Sequence, residues 1–243
     1  MEKQKVLVLN GSPKAVSDTM QLTNAFLKGL NADDRYDVKT INAVEMNVQP
    51  CRGCLMCMQR NDVFCPIEDD MRQILQDMTD ADVIIWSFPL YCYAMPAPLK
   101  AILDRILPLS HMTMVQDSDG RVRHTSKTSV KEKRMLVISG CGFPNWEGNF
   151  DGLRIMCRNC FGRIPVICVP EAPMMNVPIA AIVADPLREK FTAAGKEAGL
   201  PESRVIRAFS GESRDTAVQP HLLNLPPCCY DIDMFFININ TYG

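Results

Sequence analysis

Val6-Leu7-Val8-Leu9 runs into Asn10-Gly11-Ser12-Pro13-Lys14 and then Ser17-Asp18-Thr19, and no other stretch constrains the fold as tightly. Four consecutive apolar residues suit a strand covered on both faces, and a helical pattern opens near Thr19. A buried strand that delivers a loop of small hydroxyl residues to a helix N-terminus makes an anion pocket. Backbone N–H groups, hydroxyls and the helix dipole then converge on one point. The loop has neither the Gly-x-Gly-x-x-Gly of dinucleotide folds nor the Gly-Lys-Ser/Thr of nucleoside triphosphatases. What remains is a terminal phosphate monoester, against the plain alternative of an ordinary strand-turn-helix with a polar turn.

Strand and helix patterns alternate from there on. Strands are expected over residues 5–10, 36–41, 83–88, 135–139 and 166–169, and helices over 19–30, 69–80, 98–107, 149–160 and 186–198. Pro98 and Pro186 are read as first-turn prolines. Val83-Ile84-Ile85-Trp86 and Leu136-Val137-Ile138 are short continuous apolar runs, as doubly covered strands require. Five such units imply an α/β doubly wound parallel sheet, whose ligands bind beyond the carboxyl ends of the strands. Two insertions interrupt the pattern: residues 47–68, rich in cysteine, and residues 110–133, polar, with Asp117-Ser118-Asp119-Gly120 as a hairpin turn. The main domain is expected over residues 1–200. Residues 201–243, with Pro226-Pro227-Cys228-Cys229 and Met234-Phe235-Phe236-Ile237, form an arm that packs on the domain or a partner subunit.

Three strand ends carry unusual residues. The first is the phosphate loop. The third strand is followed by Pro89-Leu90-Tyr91-Cys92-Tyr93, stiff and aromatic, suited to stacking on a planar ring. The fourth is followed by Ser139-Gly140-Cys141-Gly142, whose glycines allow close backbone approach. Together they describe a pocket with phosphate on one side and a flat ring on the other two.

Gly11-Ser12-Pro13-Lys14 with Ser17-Asp18-Thr19, the Pro89-Leu90-Tyr91 loop, and Met95-Pro96-Ala97-Pro98-Leu99-Lys100 with Leu103-Asp104-Arg105 resemble the NADPH-dependent FMN reductase family. This is the flavodoxin-like branch that includes the iron–sulfur flavoproteins. The resemblance covers roughly residues 1–170 and implies a five-stranded sheet of order 2-1-3-4-5. It also implies non-covalent FMN, with phosphate at Ser12, Lys14, Ser17, Asp18 and Thr19. The ring would lie against Pro89, Leu90, Tyr91 and Cys92 and the turn Ser139, Gly140, Cys141 and Gly142. Homodimers or homotetramers that complete the pocket across an interface are implied as well. Asp18 stands where the family usually has asparagine; a carboxylate beside phosphate is repulsive, so Asp18 is read as the helix N-cap. Lys14 supplies charge without the bidentate geometry of arginine.

Cys51-x2-Cys54-x2-Cys57-x7-Cys65 admits three readings. Thiolates at this spacing resemble a ferredoxin-like [4Fe–4S] motif, one that iron–sulfur flavoproteins place between the second strand and second helix. A structural zinc site could use the same thiolates. The third reading leaves them as reduced, unligated thiols beside the flavin. The chain has eleven cysteines, and the seven outside this motif are read as small buried residues, Cys157 and Cys160 as core packing on one helix side. His111, His124 and His221 are assigned no catalytic role. The basic run Arg121, Arg123, Lys127, Lys131, Lys133 and Arg134 is read as a solvated face.

A formal net charge of −2 gives no electrostatic case for nucleic acid or an anionic membrane. No apolar stretch is long enough to span a bilayer, and no leader precedes the first strand, so a cytoplasmic protein is expected. The expected activity is electron transfer from NAD(P)H through FMN to a flavin, quinone or other small acceptor, with no protein group named as catalyst. The alternatives are an iron–sulfur flavoprotein relay that serves a ferredoxin-like protein, and a non-enzymatic FMN-binding redox sensor.

Overall fold

The computed structural model describes residues 2–116, 120–127, 133–162, 164–198 and the strand 234–236. The parallel sheet contains β1 (Gln4–Asn10), β2 (Tyr36–Asn42), β3 (Val83–Pro89), β6 (Arg134–Gly140), β7 (Val166–Val169) and β8 (Met234–Phe236), in the order β2-β1-β3-β6-β7-β8. The five expected strands stand in the expected spatial order. The count skips because the hairpin β4 (Ser110–Gln116) and β5 (Val122–Ser126) forms a separate antiparallel pair. Strand β8 adds a sixth, parallel to β7, with Val166 opposite Met234 and Cys168 opposite Phe236. The expected arm otherwise lies outside the described residues, with His221 and Pro226-Pro227-Cys228-Cys229; so do Asp117, Ser118 and Asp119 of the hairpin turn, and Lys131.

The alternation of strand side chains sorts the core into two layers. Val6 and Val8 face α1 (Asp18–Leu30) and α5 (Ala181–Ala198), joining Leu22, Phe26, Leu187 and Phe191. Leu7 and Leu9 face the opposite way, with Ile84, Trp86 and Phe88, toward α2 (Met71–Asp80), α3 (Ala97–Asp104) and α4 (Asp151–Phe161). Helices α1 and α5 touch backbone to backbone. A Cβ on Gly29 would lie 1.9 Å from the Thr192 carbonyl oxygen, and one on Gly195 2.0 Å from that of Phe26.

One helix start differs from expectation. Helix α5 opens at Ala181, directly after the 3-10 turn Pro178–Ala180, so Pro186 lies inside the helix and not in its first turn. The carbonyl it fails to serve is that of Ile182, an exposed residue whose backbone water can reach. Among the described residues, no helix is long and apolar enough to cross a membrane.

Candidate functional site

The loop between β1 and α1 is built from bonds between near neighbours. Asn10 Oδ1 accepts from the Ser12 N–H at 2.9 Å, and Ser12 Oγ accepts from the Lys14 N–H at 3.3 Å. The N-cap of α1 is Ser17, not Asp18. Ser17 takes extended backbone and its Oγ accepts from the Met20 N–H at 3.1 Å, while Asp18 is the first helical residue. The N–H groups of Asp18 and Thr19 have no acceptor among the described residues; such orphan donors at a helix N-terminus are what an anion meets. Ser17 Oγ and Thr19 Oγ1 lie 3.1 Å apart, both buried. The Asp18 carboxylate is held by Lys14 Nζ at 2.7 Å on one oxygen and by Asn176 Nδ2 on the other. This pairing neutralises the carboxylate that would otherwise repel a phosphate.

The other two rims interlock with it. The Leu90 N–H donates to the Gly140 carbonyl at 2.7 Å, and the Cys141 N–H to that of Val169 at 2.9 Å. Gly140 is required by close approach: a Cβ there would sit 2.4 Å from the Ala172 Cβ and 3.2 Å from Thr19 Cγ2. The Gly142 N–H has no acceptor among the described residues. Tyr91 and Ala94 pair across a tight turn whose tip, Cys92 and Tyr93, has φ of 47° and 62°. Two non-glycine residues in the left-handed region cost roughly 1–3 kcal/mol each, a strain found at binding sites more than elsewhere. Tyr93 stacks parallel to Phe143, ring centroids 6.4 Å apart, both half exposed beside the rim.

A cavity of about 100 Å³ joins the three loops. Ser12, Lys14, Ser17, Asp18, Thr19, Pro89, Leu90, Tyr91, Gly140, Cys141 and Gly142 line it, with Ala172 and Pro173. Two expected residues are not in the lining. Ser139 is fully buried in β6 with its Oγ unpartnered among the described residues, and Cys92 is exposed at the strained tip. Asn176, Ala172 and Pro173, from the loop after β7, had no motif to mark them.

The cysteine insertion has a different construction. Cys51 and Cys54 are exposed, Cys57 is buried and Cys65 is half buried. Among the described residues no three His, Cys, Asp or Glu side chains are placed to hold a metal ion, so the four thiols do not converge here. The donors suit a cluster by type; their arrangement does not. Arg105, 1% exposed at the end of α3, holds Cys65 instead: its Nη2 donates to Cys65 Sγ at 3.2 Å. Its Nη1 binds the Asp69 carboxylate and, at 3.1 Å, the Gln49 carbonyl. Lys127, also 1% exposed, donates to the Cys57 carbonyl at 2.9 Å and the Asp62 carbonyl at 2.8 Å. The basic run is therefore not a solvated face at Lys127. Burial pushes the Cys57 thiol up, the nearby Cys65 and Cys54 add to this, and Lys127 opposes it. Burial lowers Lys127 below the ordinary lysine range. The remaining cysteines are mixed: Cys141, Cys157 and Cys168 are buried, whereas Cys92 and Cys160 are exposed. Cys160 sits one residue from the C-terminus of α4, so only Cys157 of that pair is core packing. Burial, with Cys160 nearby, pushes the Cys157 thiol up to about 12.

A parallel sheet of this order, with an anion-accepting loop at the first strand end, defines a flavodoxin-like protein. Residues 4–159 match the model of the family with the flavodoxin-like fold, and the chain belongs to that family. It is 35% identical over 105 residues to an iron–sulfur flavoprotein of Methanocaldococcus jannaschii, covering 43% of this chain and 53% of that one. It is 25% identical over 141 residues to an FMN-dependent NADH:quinone oxidoreductase of Stenotrophomonas maltophilia, covering 58% and 67%. The chain spans about half the length of the first of these relatives. An FMN-dependent NADH-azoreductase of Bacillus anthracis, solved with FMN, shares the fold at 18% identity and a TM-score of 0.57, over 81% of this chain and all of that one.

Proposed function

We propose that the chain binds FMN at the strand-end cavity and passes electrons from NAD(P)H to a flavin, quinone or other small acceptor. The observation that carries this reading is the convergence of three loops on one cavity that has orphan N–H groups at one side and flat apolar residues at the other. The donors fit the ligand: hydroxyls of Ser12, Ser17 and Thr19 with the N–H groups of Asp18 and Thr19 meet a phosphate. Pro89, Leu90 and Tyr91 offer a flat wall to a ring, and the Gly142 N–H offers a donor to its polar edge. Bound FMN supplies hydride acceptance and electron delivery; the protein supplies orientation and a site open on one side. The names of its relatives, an NADH:quinone oxidoreductase and an azoreductase, support the donor and the class of acceptor.

The second reading is an iron–sulfur flavoprotein relay serving a ferredoxin-like protein, with Cys51, Cys54, Cys57 and Cys65 as cluster ligands, which requires the loop to rearrange because the four thiols do not converge. Two buried cations facing the thiol loop favour it, because an anionic metal–thiolate group gains from nearby positive charge. The names of several relatives support it as well. Protein purified without oxygen and titrated with FMN tests both readings. Saturable quenching of flavin fluorescence and quinone-dependent NAD(P)H oxidation are expected. A broad absorption beneath the flavin bands with stoichiometric iron favours the relay. Failure to take up FMN overturns both.

A further inference from the structure

Asn176 ends the 3-10 turn Ala172–Asn176, which follows β7 and sends Ala172 and Pro173 to the strand-end cavity. It reaches the β1–α1 loop from 158 positions away. Its Nδ2 donates to one oxygen of the Asp18 carboxylate and, at 3.1 Å, to the Val16 carbonyl. Its Oδ1 accepts from Gln21 Nε2, and Gln21 Oε1 accepts in turn from Arg188 Nη2 at 2.6 Å. Arg188 is itself fixed on the Met175 carbonyl at 3.2 Å and on the Asp185 carboxylate. An amide whose oxygen is committed to one donor presents its NH2 on the other side. The chain Arg188–Gln21–Asn176 therefore delivers a neutral donor to Asp18, while Lys14 Nζ takes the second carboxylate oxygen at 2.7 Å.

Asp18 needs such holding. It lines the cavity beside Ser12, Ser17 and Thr19, where the N–H groups of Asp18 and Thr19 have no acceptor among the described residues. A carboxylate in the first turn of a helix is drawn to that positive end, so a released Asp18 side chain would compete with an incoming anion or repel it. Lys14 and Asp18 are the only charged side chains between Gly11 and Thr19, and their pairing leaves the loop with no net charge. Discrimination in favour of a phosphate then rests on where the carboxylate is kept. Lys14 is half exposed and its ion pair holds weakly by itself, whereas the two donors together occupy both carboxylate oxygens. We infer that Asn176 is a positioning residue that keeps the Asp18 carboxylate out of the anion pocket, and so selects a phosphorylated flavin over its dephosphorylated form. This rests on the reading of the cavity as an FMN site, and it assigns ligand selectivity to a residue outside the lining.

The test titrates the full chain with FMN and with riboflavin, read by quenching of flavin fluorescence. Asn176→Ala should weaken FMN about fivefold and leave riboflavin within about twofold, because only the phosphate meets the displaced carboxylate. In an Asp18→Asn background the same substitution should change FMN affinity by less than about twofold, since no carboxylate remains to be released. A merely structural tie between the β7 loop and α1 would persist in that background. Should Asn176→Ala fail to fold, Asn176→Asp reads the same coupling: it keeps the size of the side chain and sets a second carboxylate against the first. Equal losses of FMN and riboflavin, or an undiminished loss in the Asp18→Asn background, would overturn the inference. So would FMN affinity that neither Asn176 variant changes. Where riboflavin binds too weakly to measure, the comparison of backgrounds decides by itself. A wild-type chain that takes up no FMN overturns the flavin reading and this inference with it, whereas the variant outcomes overturn the inference alone.

Discussion

The β1–α1 loop and the cysteine loop both join regular elements without being regular themselves, and they are secured in opposite ways. The first closes on itself: its bonds link residues two to four positions apart, Asn10 to Ser12, Ser17 to Met20, Lys14 to Asp18. Its distant supports are fewer and sit at its two ends: the Gly11 N–H donates to the Ser87 carbonyl, Asn10 Nδ2 to Asn42, and Asn176 to Asp18. The second is held from afar, by Arg105, 40 positions from Cys65, and by Lys127, 70 positions from Cys57. A loop of the first kind forms as soon as its strand and helix do. A loop of the second kind takes shape only when the sheet, α3 and the hairpin are already packed, so damage to one should leave the other standing.

The largest effect that would sharpen this contrast is Arg105→Met. It strands the buried Asp69 carboxylate, and loss of one partner from such a pair costs about 3–5 kcal/mol, readable from urea unfolding. The folded fraction should still bind FMN within about twofold of wild type; a parallel loss of FMN would show that the two loops are one unit. Gly140→Ala attacks the other side. Its Cβ collides with Ala172 and Thr19, at about 1–3 kcal/mol in stability, and FMN affinity should drop about tenfold. Native alkylation followed by mass spectrometry should meanwhile label Cys51 and Cys54 first and Cys157 last, in the order seen for wild type.

Ser17→Ala removes the helix cap, with a loss of about 1 kcal/mol and a several-fold rise in FMN dissociation constant. The smallest effect concerns acid. Burial raises the Asp69 carboxyl, but hydrogen bonds from Arg105 and from the Gln49 and Met71 N–H groups outweigh it and hold the group below the usual carboxylate range. Its folded value lies under its unfolded one, so its stabilisation is complete above about pH 4 and is lost as pH falls through the folded value. The urea midpoint should decline in that window, and Asp69→Asn should flatten the decline.

The same contrast explains what could be read without coordinates. The candidate anion pocket is legible because its donors are contiguous between Gly11 and Thr19, and the inner strands because both their faces are apolar, whereas the edge strand β2 is half exposed. Lys127 was hidden in a run of basic residues that looked like solvated surface; nothing local distinguishes the lysine that turns inward from its neighbours. Arg105 stood in a recognisable motif, yet its role depends on Asp69 and Cys65, brought to it only by tertiary packing. Cysteine spacing left a metal site and unligated thiols both open, because distant cations decide where the loop lies. The cap went to Ser17 in place of Asp18 because both types cap well, and pairing with Lys14 and Asn176 drew Asp18 inside the helix.

The contact of Gly29 with α5 has a consequence at the opposite end of α1. That helix is 13 residues long, about 20 Å, with the candidate site at its N-terminal tip and the glycine contact at the other. It behaves as a lever with its fulcrum clamped: a side chain wedged in at Gly29 or Gly195 that tilts the rod by about 3° swings Ser17 and Thr19 through about 1 Å. Precision in holding an anion is thus stored partly in two residues that never approach it.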